Sequence, residues 1–281
     1  MLWLVRAGKR SRTAQAVAAE RVVLADMGIV DDPYARGMLA PSMAAALWLA
    51  QHGPRRLTEG SVTLAGLAAR VRWFDTQVIG AMGDGIDQVV TIGAGYDSRA
   101  WRLSRANVRF FELDHAASQA DKQQRAPAGG PIYVEADLTS DSAADALHRH
   151  GLDSARPALF VVEGVTMYLG EDVVRHQFAE LAATTSAGSR LAVDFYPAPR
   201  SGTAQNQRQL RLQRLARTGG DEGFRLQLDQ ADAVALVEAC GWHVDDATSL
   251  RDAARSFVPS TSGLPVDAVN EHKSLVAARR T

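Results

Sequence analysis

The 281-residue sequence predicts an α/β fold, with a mostly parallel seven-stranded sheet and helices on both faces. Three observations predict it. From residue 88 onward, apolar runs of strand length alternate with stretches of helical spacing. Within those runs the apolar residues are continuous rather than alternating, as strands buried on both faces require. The runs also end in glycines or acids, at the rim where open α/β sheets bind ligands.

Taken in order, the elements begin with helices. In "SRTAQAVAAERVVLADM" (11–27), Val17, Ala18, Val22 and Leu24 follow helical spacing, and Ser11 or Thr13 is the expected cap. "DDPYA" (31–35) reads as a turn, with Pro33 closing off the helix before it. "PSMAAALWLAQHG" (41–53) is a short helix ended by Gly53. "SVTLAGLAARVRWFDTQVIGAMGDG" (61–85) is a long one ended by glycine. Strands follow at 88–93, 108–114, 131–137, 158–164 and 190–196, with helices near 116–125, 140–150 and 171–187 between them. The polar stretch after Tyr196 reads as an insertion or lid. "QADAVALVEACG" is a further helix, and "WHVDDAT" and "KSLVAARR" supply the last two strands.

The expected organisation is a single domain over 1–281. It comprises a helical extension (1–85), a ligand-binding core (86–196), a lid (197–228) and the end of the sheet (229–281). Apolar residues make up 46% and charged residues 22%, ordinary values for a globular chain. The 31 basic and 32 acidic side chains nearly cancel, so nucleic acid and membrane surfaces are not expected partners. A small-molecule partner is expected, and a homodimer is left open. Cys240 is the single cysteine, which excludes an internal disulfide framework and fits a reducing, cytoplasmic setting. The first residues place an apolar run before basic ones, the reverse of a secretory signal.

Chemistry concentrates in "VVTIGAGYDSRAWRL" (89–103). Gly93 and Gly95 flank Ala94 directly after the first strand. Asp114 follows Gly95 by 19 residues, the spacing at which an acid reaches a ribose diol over a glycine turn. The next strands end in Asp137-Leu138 and Glu163-Gly164. Up to this point a dinucleotide and another adenosine ligand fit equally. The third glycine of a dinucleotide fingerprint is replaced by Ser98, and Asp97 stands beside it. A carboxylate there would repel an arriving pyrophosphate. The turn therefore favours a phosphate-free adenosine ligand, and S-adenosyl-L-methionine, with its cationic sulfur, suits an acid-lined rim.

The runs "VVTIGAGYDSRAWRL", "FFELDHAASQADKQQR", "VEADL" and "FVVEGVTMYL" resemble the leucine carboxyl methyltransferase family. That family is a branch of the class I, Rossmann-like S-adenosyl-L-methionine-dependent methyltransferases. The upstream "AARVRWFD" and "RTAQAVAAERVVLA" resemble it too. The resemblance implies that Arg70 holds the cofactor's carboxylate and that Gly93, Ala94 and Gly95 let its methionine part approach the backbone. It implies that Asp114, after Leu113, binds the ribose, and that Asp137 and Leu138 frame the adenine. Glu163 and Gly164 would lie beside the methionyl end, with Asp97 and Arg99 bracing the turn. The family contains enzymes that esterify a protein carboxyl terminus and enzymes that act on small natural products.

For the acceptor, the candidate catalytic residues are Tyr168, Glu163 and Tyr196, with Asp194 and His115 as further acceptor-side candidates. Arg200, Arg208 and Arg211 would attract an anionic acceptor if the lid folds over. A carboxylate acceptor needs no base, whereas a phenol or alcohol benefits from one. His176 and His243 lack ligand spacing, so no metal is expected. Cys240 reads as inert core. O-methylation of a small molecule leads. A nicotinamide-dependent oxidoreductase and a non-catalytic binder of S-adenosyl-L-methionine are the competing classes, and C- or N-methylation is the variant on the same fold.

Overall fold

The computed structural model describes residues 12–52, 61–198 and 223–281. Ser11, Gly53 and the lid arginines Arg200, Arg208 and Arg211 lie outside the described residues.

Seven strands form: β1 (Gln88–Ile92), β2 (Arg109–Asp114), β3 (Ile132–Glu135), β4 (Leu159–Val162), β5 (Arg190–Phe195), β6 (His243–Ser249) and β7 (Ser274–Arg279). They make one sheet in the order β3-β2-β1-β4-β5-β7-β6. The first five run parallel, and β7 runs antiparallel to both of its neighbours. The continuous apolar runs do become strands buried on both faces. All of β1 and β4 is buried, with Val89 packing into the core on one face and Val90 into the core on the other. The edge strand β6, His-Val-Asp-Asp-Ala-Thr-Ser, is largely polar and has no fully buried residue, and its charged side chains discourage pairing with another chain.

The helices before the sheet are α1 (Arg12–Asp26), α2 (Pro41–His52) and α3 (Val62–Gly83). Ser61 caps α3 by accepting from the Leu64 N–H. The turn expected at Pro33 is not what ends α1. That helix stops at Asp26, and Gly28 (φ 69°) supplies the left-handed turn after it. After β1 comes a single turn, α4 (Arg99–Arg102). Then follow α5 (Ala116–Gln123), α6 (Ala143–Arg149), α7 (Glu171–Thr184), α8 (Gln230–Ala239) and α9 (Leu250–Phe257). The last was not expected. Only Leu250, Ala253 and Ala254 of its eight residues are buried, too short a stripe to stand out in sequence. It packs with α1 and α3 on one face of the sheet, while α6, α7 and α8 cover the other.

Chain order reverses at β1. Strands β2 and β3 lie on one side of it, and β4 and β5 on the other. The carboxyl ends of β1 and β4 therefore flank a topological switch point, the place where such sheets leave a ligand crevice.

Candidate active site

The glycine turn follows β1. Gly93 (φ 67°) and Gly95 (φ 51°) adopt left-handed backbone that other residues resist. A side chain on Gly93 would collide with Val165, its Cβ falling 2.3 Å from Cγ2. One on Gly95 would press on Ala14 of α1 at 3.2 Å. The bare backbone is thus required by the protein's own packing. The turn is tied to β2, since the N–H groups of Gly93 and Ala94 donate to the Leu113 carbonyl at 2.7 and 3.2 Å. The Gly95 N–H donates to Asp114 Oδ2 at 2.5 Å, and the His115 N–H to Oδ1 at 2.6 Å. Burial pushes the Asp114 carboxyl up, against the pull of these two bonds.

Behind the turn lies a chain of alternating charges. Arg21 of α1 pairs with the fully buried Asp32 at 3.1 Å, and Asp32 lies 3.9 Å from Arg102. Arg102 and Arg99 share Asp75, at 2.9 and 2.7 Å. Arg99, only 2% exposed, also pairs with Asp97 and, at 2.7 Å, with Glu163. Glu163 takes the Nε–H of Arg70 at 2.8 Å. Arg70 lies 3.9 Å from Asp194, and Asp194 pairs with Lys273 at 2.9 Å. Burial pushes Asp97 up, but Arg99 first and then Arg21 and Lys122 bring it down to about 2. Glu163 is likewise held below the usual carboxylate range, because Arg99 and Arg70 outweigh its burial. Burial works against the charge on Arg70, and Tyr196, Glu163 and Asp194 more than restore it.

Asp97 therefore braces the turn with Arg99, as expected. It does not act as a free anion that repels pyrophosphate, because its charge is matched by Arg99. The four-residue α4 also offers little helix dipole.

These elements surround a cavity of about 250 Å³. Arg70, Gly93, Ala94, Gly95 and Asp114 line it, as do Leu138, Glu163, Gly164, Tyr168 and Tyr196. Three expected residues do not. Leu113 points into the core and contributes its carbonyl alone. Asp137 turns onto its own loop, where Oδ1 accepts from the Thr139 N–H at 2.9 Å and hydroxyl at 2.6 Å. Asp194 is fully buried behind the wall, where Oδ1 takes the Gly164 N–H at 2.7 Å. His115 lines the cavity beside Asp114, on the β2 rim, and caps α5.

Sequence reasoning missed α1 as a wall: Thr13, Ala14, Val17, Ala18 and Arg21 all face the cavity. A helical arginine ordinarily reads as surface, and only its partners Asp32 and Tyr96 show otherwise. It also missed Phe224. The chain returns from the insertion against the mouth, where the Arg225 N–H donates to the Met167 carbonyl at 2.7 Å. Phe224 then meets Tyr168 and Tyr196 edge-on, at 5.7 and 5.4 Å between ring centroids. The Tyr196 hydroxyl accepts from Arg70 Nη1 at 3.1 Å.

Residues 11–182, more than half the sequence, match the model of the leucine carboxyl methyltransferase family. The chain belongs to that family. A "Putative S-adenosyl-L-methionine-dependent methyltransferase" of Mycobacterium marinum is 30% identical over 249 residues, covering 83% of this chain and 82% of the relative. Another of the same description, from Mycolicibacterium paratuberculosis, is 31% identical over 259 residues with the same coverage. Among solved structures, a DUF574 family protein from Streptomyces avermitilis aligns over 86% of this chain and 92% of its own. Its TM-score is 0.59 at 20% identity, a likeness of fold. The class I methyltransferase fold, the enzyme class and the cofactor, S-adenosyl-L-methionine, follow from family and fold together. The oxidoreductase and the non-catalytic reading are set aside on the same ground.

The residues present suit this family's cofactor. Asp114 keeps acceptor capacity on both oxygens for a diol, since each takes a single backbone donor. Arg70 uses Nε and Nη1 within the protein, while its Nη2 makes no hydrogen bond among the described residues. No group of three or more His, Cys, Asp or Glu among the described residues is placed to hold a metal ion. No described helix is long and apolar enough to cross a membrane.

Proposed function

We propose that this methyltransferase methylates an oxygen, carboxylate or hydroxyl, of a small-molecule acceptor of the natural-product kind. The observation that carries this reading is the state of Glu163. Two arginines hold it ionised and below its usual range, so it is a poor proton acceptor. The other groups expected at the acceptor that line the cavity are the hydroxyls of Tyr168 and Tyr196 and the imidazole of His115, which stands beside Asp114 on the β2 rim rather than beside Glu163. A site equipped in this way suits an acceptor that arrives already ionised, as a carboxylate does near neutral pH.

In this reading Asp114 accepts the ribose hydroxyls, while Ala136 and Leu138 offer an apolar face to the adenine. Arg70 takes the carboxylate through Nη2, and Glu163 serves to aim it rather than to move a proton. S-adenosyl-L-methionine supplies, when bound, a methyl group on a cationic sulfur that departs as a neutral thioether. The rings of Tyr168, Phe224 and Tyr196 orient the acceptor and keep water out, so that the protein's contribution is alignment.

The test is transfer of labelled methyl from S-adenosyl-L-methionine to a panel of small carboxylic acids, phenols and amines. Label in esters or ethers is expected, and label confined to amines would overturn the reading. Asp114→Ala should weaken S-adenosyl-L-methionine binding more than about tenfold by calorimetry, because charge-assisted hydrogen bonds are lost. An unchanged dissociation constant would remove Asp114 from the ribose site.

A further inference from the structure

Lys273 lies at the far end of the charge chain and far from every motif in the sequence. It sits one residue before β7, next to the last antiparallel pair, Phe195 and Ser274. Residues two apart on a strand share a face, so Asp194 and Tyr196 both turn toward it. Its ammonium lies 2.9 Å from Asp194 Oδ2 and 3.8 Å above the centre of the Tyr196 ring. The side chain is 4% exposed.

Burying an ammonium is costly unless it has partners, and both partners here belong to the cavity wall. Asp194 holds the Gly164 N–H through its other oxygen, and Tyr196 receives Arg70. Neither Asp194 nor Lys273 lines the cavity itself. In the charge chain, cations and carboxylates are equal in number, and Lys273 is the terminal cation. Without it, Asp194 would be a buried carboxylate whose nearest remaining cation is Arg70, 3.9 Å away. Arg70 would then be drawn inward, onto Asp194, and an incoming carboxylate would face unbalanced negative charge.

We propose that Lys273 is a positioning residue: by neutralising Asp194 and holding the Tyr196 ring, it leaves Arg70 free to grip the carboxylate of the ligand's amino-acid tail. The proposal rests on the cavity being the S-adenosyl-L-methionine site, and its test separates the two claims. Two nucleosides serve as probes in calorimetric titration. S-adenosylhomocysteine carries the amino-acid tail, whereas 5′-methylthioadenosine lacks it.

Lys273→Met should weaken S-adenosylhomocysteine about tenfold and leave 5′-methylthioadenosine within about twofold. Lys273→Arg should retain both ligands. The double variant Asp194→Asn with Lys273→Met should regain S-adenosylhomocysteine affinity to within about threefold of the unmodified enzyme, since no buried carboxylate is left unmatched. Equal losses for both probes, no loss for either, or failure of the double variant to recover would overturn the proposal. Should Lys273→Met not fold, the double variant decides alone, wild-type-like binding supporting the proposal and selective loss of S-adenosylhomocysteine overturning it. If the unmodified enzyme binds neither probe, it is the assignment of the cavity that fails.

Discussion

The two ends of the cavity are built differently. At the charged end, Arg70, Arg99, Asp97 and Glu163 are each at most 12% exposed and each side chain makes two or more charged or hydrogen-bonding contacts, those of Asp97 both being to Arg99. At the aromatic end, Tyr168, Tyr196 and Phe224 are only half-buried and meet through ring edges, Tyr196 also joining the two ends through Arg70 and Lys273. Ion pairs and charged hydrogen bonds prescribe geometry, whereas ring contacts tolerate sliding. The family match cuts across the aromatic end. It ends at residue 182, so it contains Arg70, Asp97, Arg99, Glu163 and Tyr168 but neither Tyr196 nor Phe224. In the function proposed above, the rigid end serves the cofactor and the adaptable end the acceptor.

The contrast can be broken or sharpened. The largest effect is expected from Arg99→Ala, which strands Asp97, Glu163 and Asp75 without their common cation. Breaking a buried pair of this kind costs about 3–5 kcal/mol, readable by urea unfolding. A loss below about 1 kcal/mol would mean that the charged end is not a structural unit.

A smaller effect concerns acid. The folded pKa of Asp97, about 2, lies below its ordinary value, so the fold favours the ionised form. Its contribution is therefore full at neutral pH, begins to fade near pH 4 and is lost as pH falls through about 2. The Asp97→Asn variant should lose about 2 kcal/mol less than the unmodified enzyme across that window. Parallel acid branches would contradict the pairing.

The smallest effect belongs to the other end. Phe224→Ala should cost about 1 kcal/mol of ring packing and leave S-adenosylhomocysteine affinity within about twofold. If it weakened that ligand as much as Asp114→Ala does, the two ends would not be separable.

Much of this architecture is legible in the order of residues. Strand positions follow from apolar runs, because a strand covered on both faces leaves no polar alternation to confuse the reading. Gly93, Gly95 and Asp114 are legible as a turn and an acid at a characteristic spacing. What fails is the reading of polar residues one at a time. Asp137 and Asp194 stand at strand ends just as Asp114 does. Yet one folds onto Thr139 and the other is buried against Lys273. Arg21 looks like a surface residue of α1 until Asp32 and Tyr96 are seen around it. The α9 helix escapes notice because its apolar stripe is only three residues long.

Local chemistry settled the order of strands and helices, the glycine turn and the acid facing it, because backbone preference and apolar periodicity act over a few residues. Which charges face the cavity and which are locked behind it was decided by the tertiary structure alone. Lys273 and Asp194, or Arg70 and Glu163, meet across 79 and 93 residues of chain. A buried charge takes its role from the partner that neutralises it, and such partners become neighbours only when the sheet is assembled.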